Sequence, residues 1–164
     1  MNRSFFLFLI ILLLACNKES EPESICYTKS YPPRNTEKLT IDQGLWGDVW
    51  FWEGDFMPFN FGTICQAQRT IYIFELTTMN DVIEAKPYTP FYSTINTQLI
   101  TTTESDENGF FQVELEPGTY SLFLFEDTCY YSNLFDGYGA IFPVKIESGN
   151  VTEVRFDITY DATY

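Results

Sequence analysis

The chain contains no histidine. That absence removes Ser-His-Asp and Cys-His nucleophilic machinery, and with it the usual histidine-containing zinc sites. Positive charge is scarce too: nine Lys and Arg stand against 23 Asp and Glu, for a formal net charge of −14. So acidic a body is a poor match for nucleic acid or anionic headgroups, both of which attract Lys and Arg. The four cysteines include no CxxC pair, which argues against a thiolate metal site. Long apolar runs are missing as well. The longest, Phe5 to Leu14, has only Phe, Leu and Ile and is too short for a hydrocarbon layer of about 30 Å.

That run has the length of a signal-peptide h-region and follows Met1-Asn2-Arg3, a minimal positive n-region. It closes on Leu13-Leu14-Ala15-Cys16, which resembles the lipobox of bacterial lipoproteins. The resemblance implies cleavage after Ala15, acylation of Cys16 by palmitate-type chains, and a protein anchored to a membrane through its N-terminal lipid. An ordinary secretory signal or a short tail anchor, with Cys16 incidental, is the alternative. Residues 1–15 are thus expected to be a signal peptide, and 16–38 a lipidated flexible tether. The tether is rich in Glu, Ser, Asn and Pro and carries Tyr31-Pro32-Pro33. Acidic residues just after the lipid cysteine also resemble export signals of Gram-negative lipoproteins, which points to the outer membrane or cell surface. A plain solvated linker reads the same way.

Residues 39–164 are expected to form one domain. Aromatics make up 18% of the chain, a composition that favours strands. Two-residue spacing recurs at Phe111, Val113 and Leu115, at Tyr120, Leu122 and Leu124, and at Val154, Phe156, Ile158 and Tyr160. Turn clusters separate such runs at Asp106-Glu107-Asn108-Gly109, Glu116-Pro117-Gly118 and Glu147-Ser148-Gly149-Asn150. Only Thr78 to Ala85 suits a helical turn or two. The pattern predicts an all-β fold, a single antiparallel seven-stranded β-sandwich.

The segment from Ser105 to Tyr120 contains Asp106-Glu107-Asn108-Gly109-Phe110-Phe111 and then Leu115-Glu116-Pro117-Gly118-Thr119-Tyr120. It resembles the D-x-N-G-x-F turn and L-x-P-G-x-Y stretch of carboxypeptidase regulatory-like domains, which share a transthyretin-like sandwich. Gly47-Asp48-Val49, Gly54 to Pro58 and Val144 to Thr152 fit the same pattern. The resemblance runs from about Leu45 to Ile158. It implies a non-catalytic module, since such sandwiches accompany catalytic domains without catalysing.

Several residues are candidates for function. Trp46, Asp48, Trp50 and Trp52 fall on one face of a strand, with Leu45, Val49 and Phe51 on the core side. Three indoles beside a carboxylate suit a sugar ring or an anchoring contact with a partner. The competing reading is that a loop or the tether covers them. Glu104, Asp106 and Asn108 before Gly109 mimic the start of a calcium loop, but Leu115 occupies the twelfth position, and a β-turn explains them without metal. Tyr120 reads as a corner tyrosine bonding nearby backbone. Glu53 with Asp55, or Glu126 with Asp127, are acid pairs that a glycosidase would need.

Once Cys16 is acylated, Cys26, Cys65 and Cys129 are left. Counting strand reversals puts the connections at 54–68, 105–109 and 127–139 at one end, taken as the functional end because it holds two long aromatic loops. That parity favours a Cys65–Cys129 disulfide over separate thiols or a pair involving Cys26. The expected function is a lipid-anchored, non-catalytic binding or structural module of the envelope or cell surface. It needs no cofactor or metal, and its ligand is a glycan or an envelope protein. The rival reading is a small carboxylate-based hydrolase acting on envelope polysaccharide.

Overall fold

A computed structural model describes residues 25–28, 33 and 38–164. The expected signal peptide and Cys16 lie outside these residues. The described chain is all-β apart from a single 3-10 turn, Met79–Asp81, with two sheets.

The first sheet is built on β2 (Gly44–Asp55), a twelve-residue strand. One edge of β2 is shared by two shorter strands. β8 (Phe110–Val113) pairs with its first half and β3 (Thr63–Gln66) with its second. β12 (Val151–Thr163) runs along the other edge for nearly its whole length, in parallel, with a register shift between Ile158 and Asp161. The outer strand is β1 (Cys26–Thr28), antiparallel to β3. The second sheet repeats the plan around β9 (Gly118–Glu126), which β11 (Pro143–Ile146) and β10 (Cys129–Tyr131) share along one edge. Its order is β5-β6-β10-β9-β4-β7, with β4 (Thr70–Glu75), β5 (Val82–Glu84), β6 (Phe91–Ile95) and β7 (Leu99–Glu104).

The apolar sides of both sheets meet in one core. Leu45, Val49, Phe111, Phe156 and Ile158 come from the first sheet. Ile71, Ile73, Leu122, Leu124 and Val144 come from the second. Phe142 and Phe156 stack at 4.7 Å between centroids. The fold is therefore β-sandwich-like.

Each outer face also buries a small cluster. Trp50, Trp52 and Ile64 gather with Tyr27, Phe56 and Ala162 outside the first sheet. Phe74, Tyr92, Phe123 and Ile141 gather with Tyr72 and Tyr130 outside the second. Aromatic content this high needs three places to bury itself, because one inter-sheet core lacks the area.

Four expectations are corrected. Twelve strands occur among the described residues instead of seven, because β3, β5, β6 and β10 are too short to show a period. The sheets are not wholly antiparallel, since β2 and β12 pair in parallel. The region read as tether contributes β1, so the folded body begins earlier than residue 39. The disulfide joins Cys26 to Cys65, with Cα atoms 4.0 Å apart, and Cys129 is a free thiol on the other sheet. Parity misled because Cys65 and Cys129 lie in strands of their own, β3 and β10, inside segments treated as single connections, and those two strands belong to different sheets. The supposed long loop 127–139 contains β10 and then reaches Met79, whose N–H donates to the Gly139 carbonyl at 3.0 Å. It does not stay at one end.

Candidate functional site

Trp46, Asp48, Trp50 and Trp52 do share the outer face of β2, and that face is covered. Trp50 is 2% exposed and Trp46, Asp48 and Trp52 are also buried. Trp50 meets the edge of Tyr27 from β1 at 5.8 Å and lies under the Arg155 guanidinium at 5.6 Å. Trp52 packs on Phe56 at 5.1 Å and donates its indole N–H to Asp157 Oδ1 at 2.8 Å. Arg155 Nε donates to the same oxygen at 2.7 Å. Trp46 rests on Phe110. The candidate ligand face is a structural cluster, and the strand contributed by the supposed tether helps close it.

The acid pairs take different roles. Glu126 is buried at the end of β9. Its Oε1 accepts from Arg69 Nε at 2.6 Å and its Oε2 from the Tyr160 hydroxyl at 3.0 Å. Burial, then the hydrogen bond and charge of Glu126, push the Tyr160 phenol well above the ordinary tyrosine value. Asp127 turns outward at positive φ between β9 and β10. Glu53 is exposed, while Asp55 accepts from the Met57 N–H at 2.8 Å and Asn60 Nδ2 at 2.6 Å. Both oxygens of Asp55 hold a turn.

The calcium-like run is a β-turn. Gly109 N–H donates to the Asp106 carbonyl at 2.8 Å, and Gly109 adopts φ +76°. The Asp106 carboxylate accepts from the N–H groups of Asn108 and Phe110, with Lys38 Nζ at 2.5 Å. Glu104 accepts from Gln68. Tyr120 sends its hydroxyl to the Glu116 carbonyl at 2.9 Å, the corner role expected of it.

A pair of turns carries what sequence reasoning missed. Met57-Pro58-Phe59-Asn60 closes with the Asn60 N–H on the Met57 carbonyl at 3.0 Å. Lys86-Pro87-Tyr88-Thr89 closes with the Thr89 N–H on the Lys86 carbonyl at 3.3 Å. Each places proline second and an aromatic third, at φ +78° for Phe59 and +61° for Tyr88. That third position ordinarily takes glycine, because a side chain there costs about 1–2 kcal/mol. Phe59 is 95% exposed and Tyr88 100%, so neither recovers the strain by packing. The shared Pro-aromatic dipeptide was the available signal.

Tyr88 stands over a groove of about 360 Å³ lined by Met79, Glu84, Pro90, Tyr92, Asn133 and Phe135. A second hairpin adjoins it: Ser132 N–H donates to the Pro90 carbonyl, and Phe142 N–H donates to Leu134. Asp136 Oδ1 caps its tip, accepting from Tyr138 N–H at 2.7 Å and Ala140 N–H at 3.0 Å. Tyr138 at that tip is 97% exposed. On the groove floor, Tyr92 is fully buried, and burial followed by the charge of Glu84 pushes its phenol up to about 12. The groove therefore combines flat aromatic surface with an exposed carboxylate acceptor, Glu84. A larger groove of about 540 Å³ beside Gln43 and Tyr120 has neither exposed aromatic tips nor free amides, since Gln43 is bonded to Leu115 and Gly149. Among the described residues no group of three Asp, Glu or Cys side chains is placed to hold a metal ion.

No protein-family model, curated protein or solved structure matches the chain.

Proposed function

We propose that the protein is a lipid-anchored binding module of the bacterial envelope or cell surface, and that its ligand is a glycan taken up in the Tyr88 groove. One observation carries the reading: Tyr88 stands almost wholly exposed at a concave, acceptor-bearing surface, and Tyr138 stands equally exposed at the tip of the hairpin segment whose Asn133 and Phe135 line that surface. A contact of stacked tyrosine faces with a few polar groups suits a sugar ring and needs no catalytic group. The anchor rests on Leu13 to Cys16, and the Cys26–Cys65 disulfide supports a compartment outside the reducing cytoplasm. The Asp106–Gly109 turn and the Tyr120 corner support kinship with carboxypeptidase regulatory-like sandwiches over that segment.

Mature protein on a glycan array tests the reading, with Tyr88→Ala and Tyr138→Ala alongside. Binding that falls about fivefold to tenfold in either variant is expected, since stacking on one ring is worth about 1–1.5 kcal/mol. Array binding that both variants retain unchanged overturns the groove. Cys16→Ser is expected to abolish palmitate labelling and release the protein from membranes, because two or more acyl chains hold where one does not.

A further inference from the structure

The Met57–Asn60 turn differs from the Tyr88 turn in one respect: it lines neither of the grooves described above. We infer that this tip is a second membrane contact, inserting Met57, Pro58 and Phe59 into the interface of the bilayer that holds the lipidated N-terminus. The inference rests on the lipid-anchor reading above and concerns a different part of the molecule from the glycan groove.

The tip is built to project apolar surface. Phe59 is 95% exposed and Met57 45%. Asp55, the carboxylate nearest to them in the chain, has both oxygens turned inward on Met57 N–H and Asn60 Nδ2. No charged residue occurs from Phe56 to Gln68. A phenyl ring held at positive φ with nothing to pack on adds strain and exposes apolar area, so folding alone gives no reason for it.

The leash selects the occupant. Cys26 is disulfide-bonded to Cys65 on β3, the second strand of the hairpin that carries the tip. Ten residue steps separate Cys16 from Cys26, a reach of about 35 Å at full extension. Phe59 lies six steps from Cys65, at most about 20 Å away. The tether is thus long enough for the anchor and the tip to meet the same surface, and too short for the hairpin to stray far from it. A contact of this kind buries its apolar residues about 5–10 Å into the headgroup boundary. Because the tip is uncharged while the body is acidic, the contact favours zwitterionic lipid and is insensitive to salt.

The test places an environment-sensitive fluorophore at Phe59→Cys, and at Tyr88→Cys as control, in a Cys129→Ser background. The mature chain is held on phosphatidylcholine vesicles in two ways. One uses its own lipid at Cys16, and the other a hexahistidine tag at that position on nickel-chelating lipid. A blue shift and several-fold brightening at residue 59, quenched by spin-labelled lipid and unchanged in high salt, is expected in both arms, with residue 88 remaining water-like. A water-like signal at 59 on vesicle-bound protein overturns the inference and leaves the anchor reading intact. Failure to bind vesicles in the first arm, with insertion in the second, overturns the anchor reading and supports the tip. A blue shift that grows with protein concentration in the absence of vesicles assigns the tip to a second copy of the chain, and also overturns the inference.

Discussion

Removing the Cys26–Cys65 bond is expected to cost about 4 kcal/mol, because it releases a closed loop of 39 residues in the unfolded chain. For a domain of this size that corresponds to a fall of roughly 8–16 °C in Tm. The effect acts on the unfolded state, so Cys26→Ser, Cys65→Ser and the double variant should lose nearly the same amount. All three should show a larger denaturant slope, since an uncrosslinked chain exposes more surface. Magnitude alone does not identify the partner. A Cys65–Cys129 bond would close a loop of about 64 residues and contribute close to the same energy, about 4.3 kcal/mol. The pattern across variants separates the two: Cys129→Ser should leave the urea midpoint nearly unchanged. Urea melts of the four variants under non-reducing conditions, with peptide mapping of the intact protein, provide the assay. A silent Cys26→Ser beside a damaging Cys129→Ser would refute the register of β1 on β3.

Gly109→Ala is expected to destabilise by more than about 2 kcal/mol in the same melts, because φ +76° disfavours any side chain and the new Cβ would lie 2.5 Å from the Val49 carbonyl oxygen. Arg69→Leu should cost about 3 kcal/mol by leaving the buried Glu126 carboxylate without its cation; this is the low end for such pairs, since Arg69 keeps a third of its side chain exposed. Adding Glu126→Gln to Arg69→Leu should recover part of that loss. Burial alone would raise the Asp106 carboxyl, but Lys38 and the N–H groups of Asn108 and Phe110 outweigh it and hold it below the ordinary aspartate value. Its contribution is therefore complete above about pH 4 and lost as the pH falls through the lowered folded value. Asp106→Ala should flatten the stability slope in that acid range, and an NMR titration showing Asp106 at or above the ordinary value would contradict the turn geometry.

The sheet content was legible because the long strands alternate. Leu45, Val49 and Phe51 point to the core as two-residue spacing requires, and Asn108-Gly109 marks its turn directly. Strand number was not legible. β5 and β10 are three residues each, too short for any period to declare itself, and they are held by neighbours distant in sequence. The parallel β2–β12 pair was invisible for a related reason, since each strand carries the same alternation in either direction. For the candidate site, spacing found the face of β2 correctly but said nothing of what lay on it. Tyr27, in a segment whose charge and proline read as linker, closes over Trp50 only because Cys26 pins β1 to β3. The turn aromatics escaped notice because Pro-Phe and Pro-Tyr look like ordinary loop residues until a backbone angle shows the strain.

The disposition of aromatics ties these observations together. Rings with partners fill three clusters: one between the sheets and one outside each. There Tyr27, Phe56, Phe74 and Tyr130 exclude water from strands that would otherwise present apolar faces. A chain that buries aromatics on the outside of both sheets has no need to leave others bare. Phe59, Tyr88 and Tyr138 are nonetheless almost fully exposed at hairpin tips, two of them on backbone that resists a side chain. Packing explains the first group and contributes nothing to the second. This contrast is what the proposed contacts at the tips rest on, and the strand faces hold the tips in place. The disulfide adds direction, because it ties the N-terminal segment to the β2–β3 hairpin; under the proposed lipid anchor at Cys16 it would keep Phe59 within reach of the membrane, on a hairpin separate from those that bear Tyr88 and Tyr138.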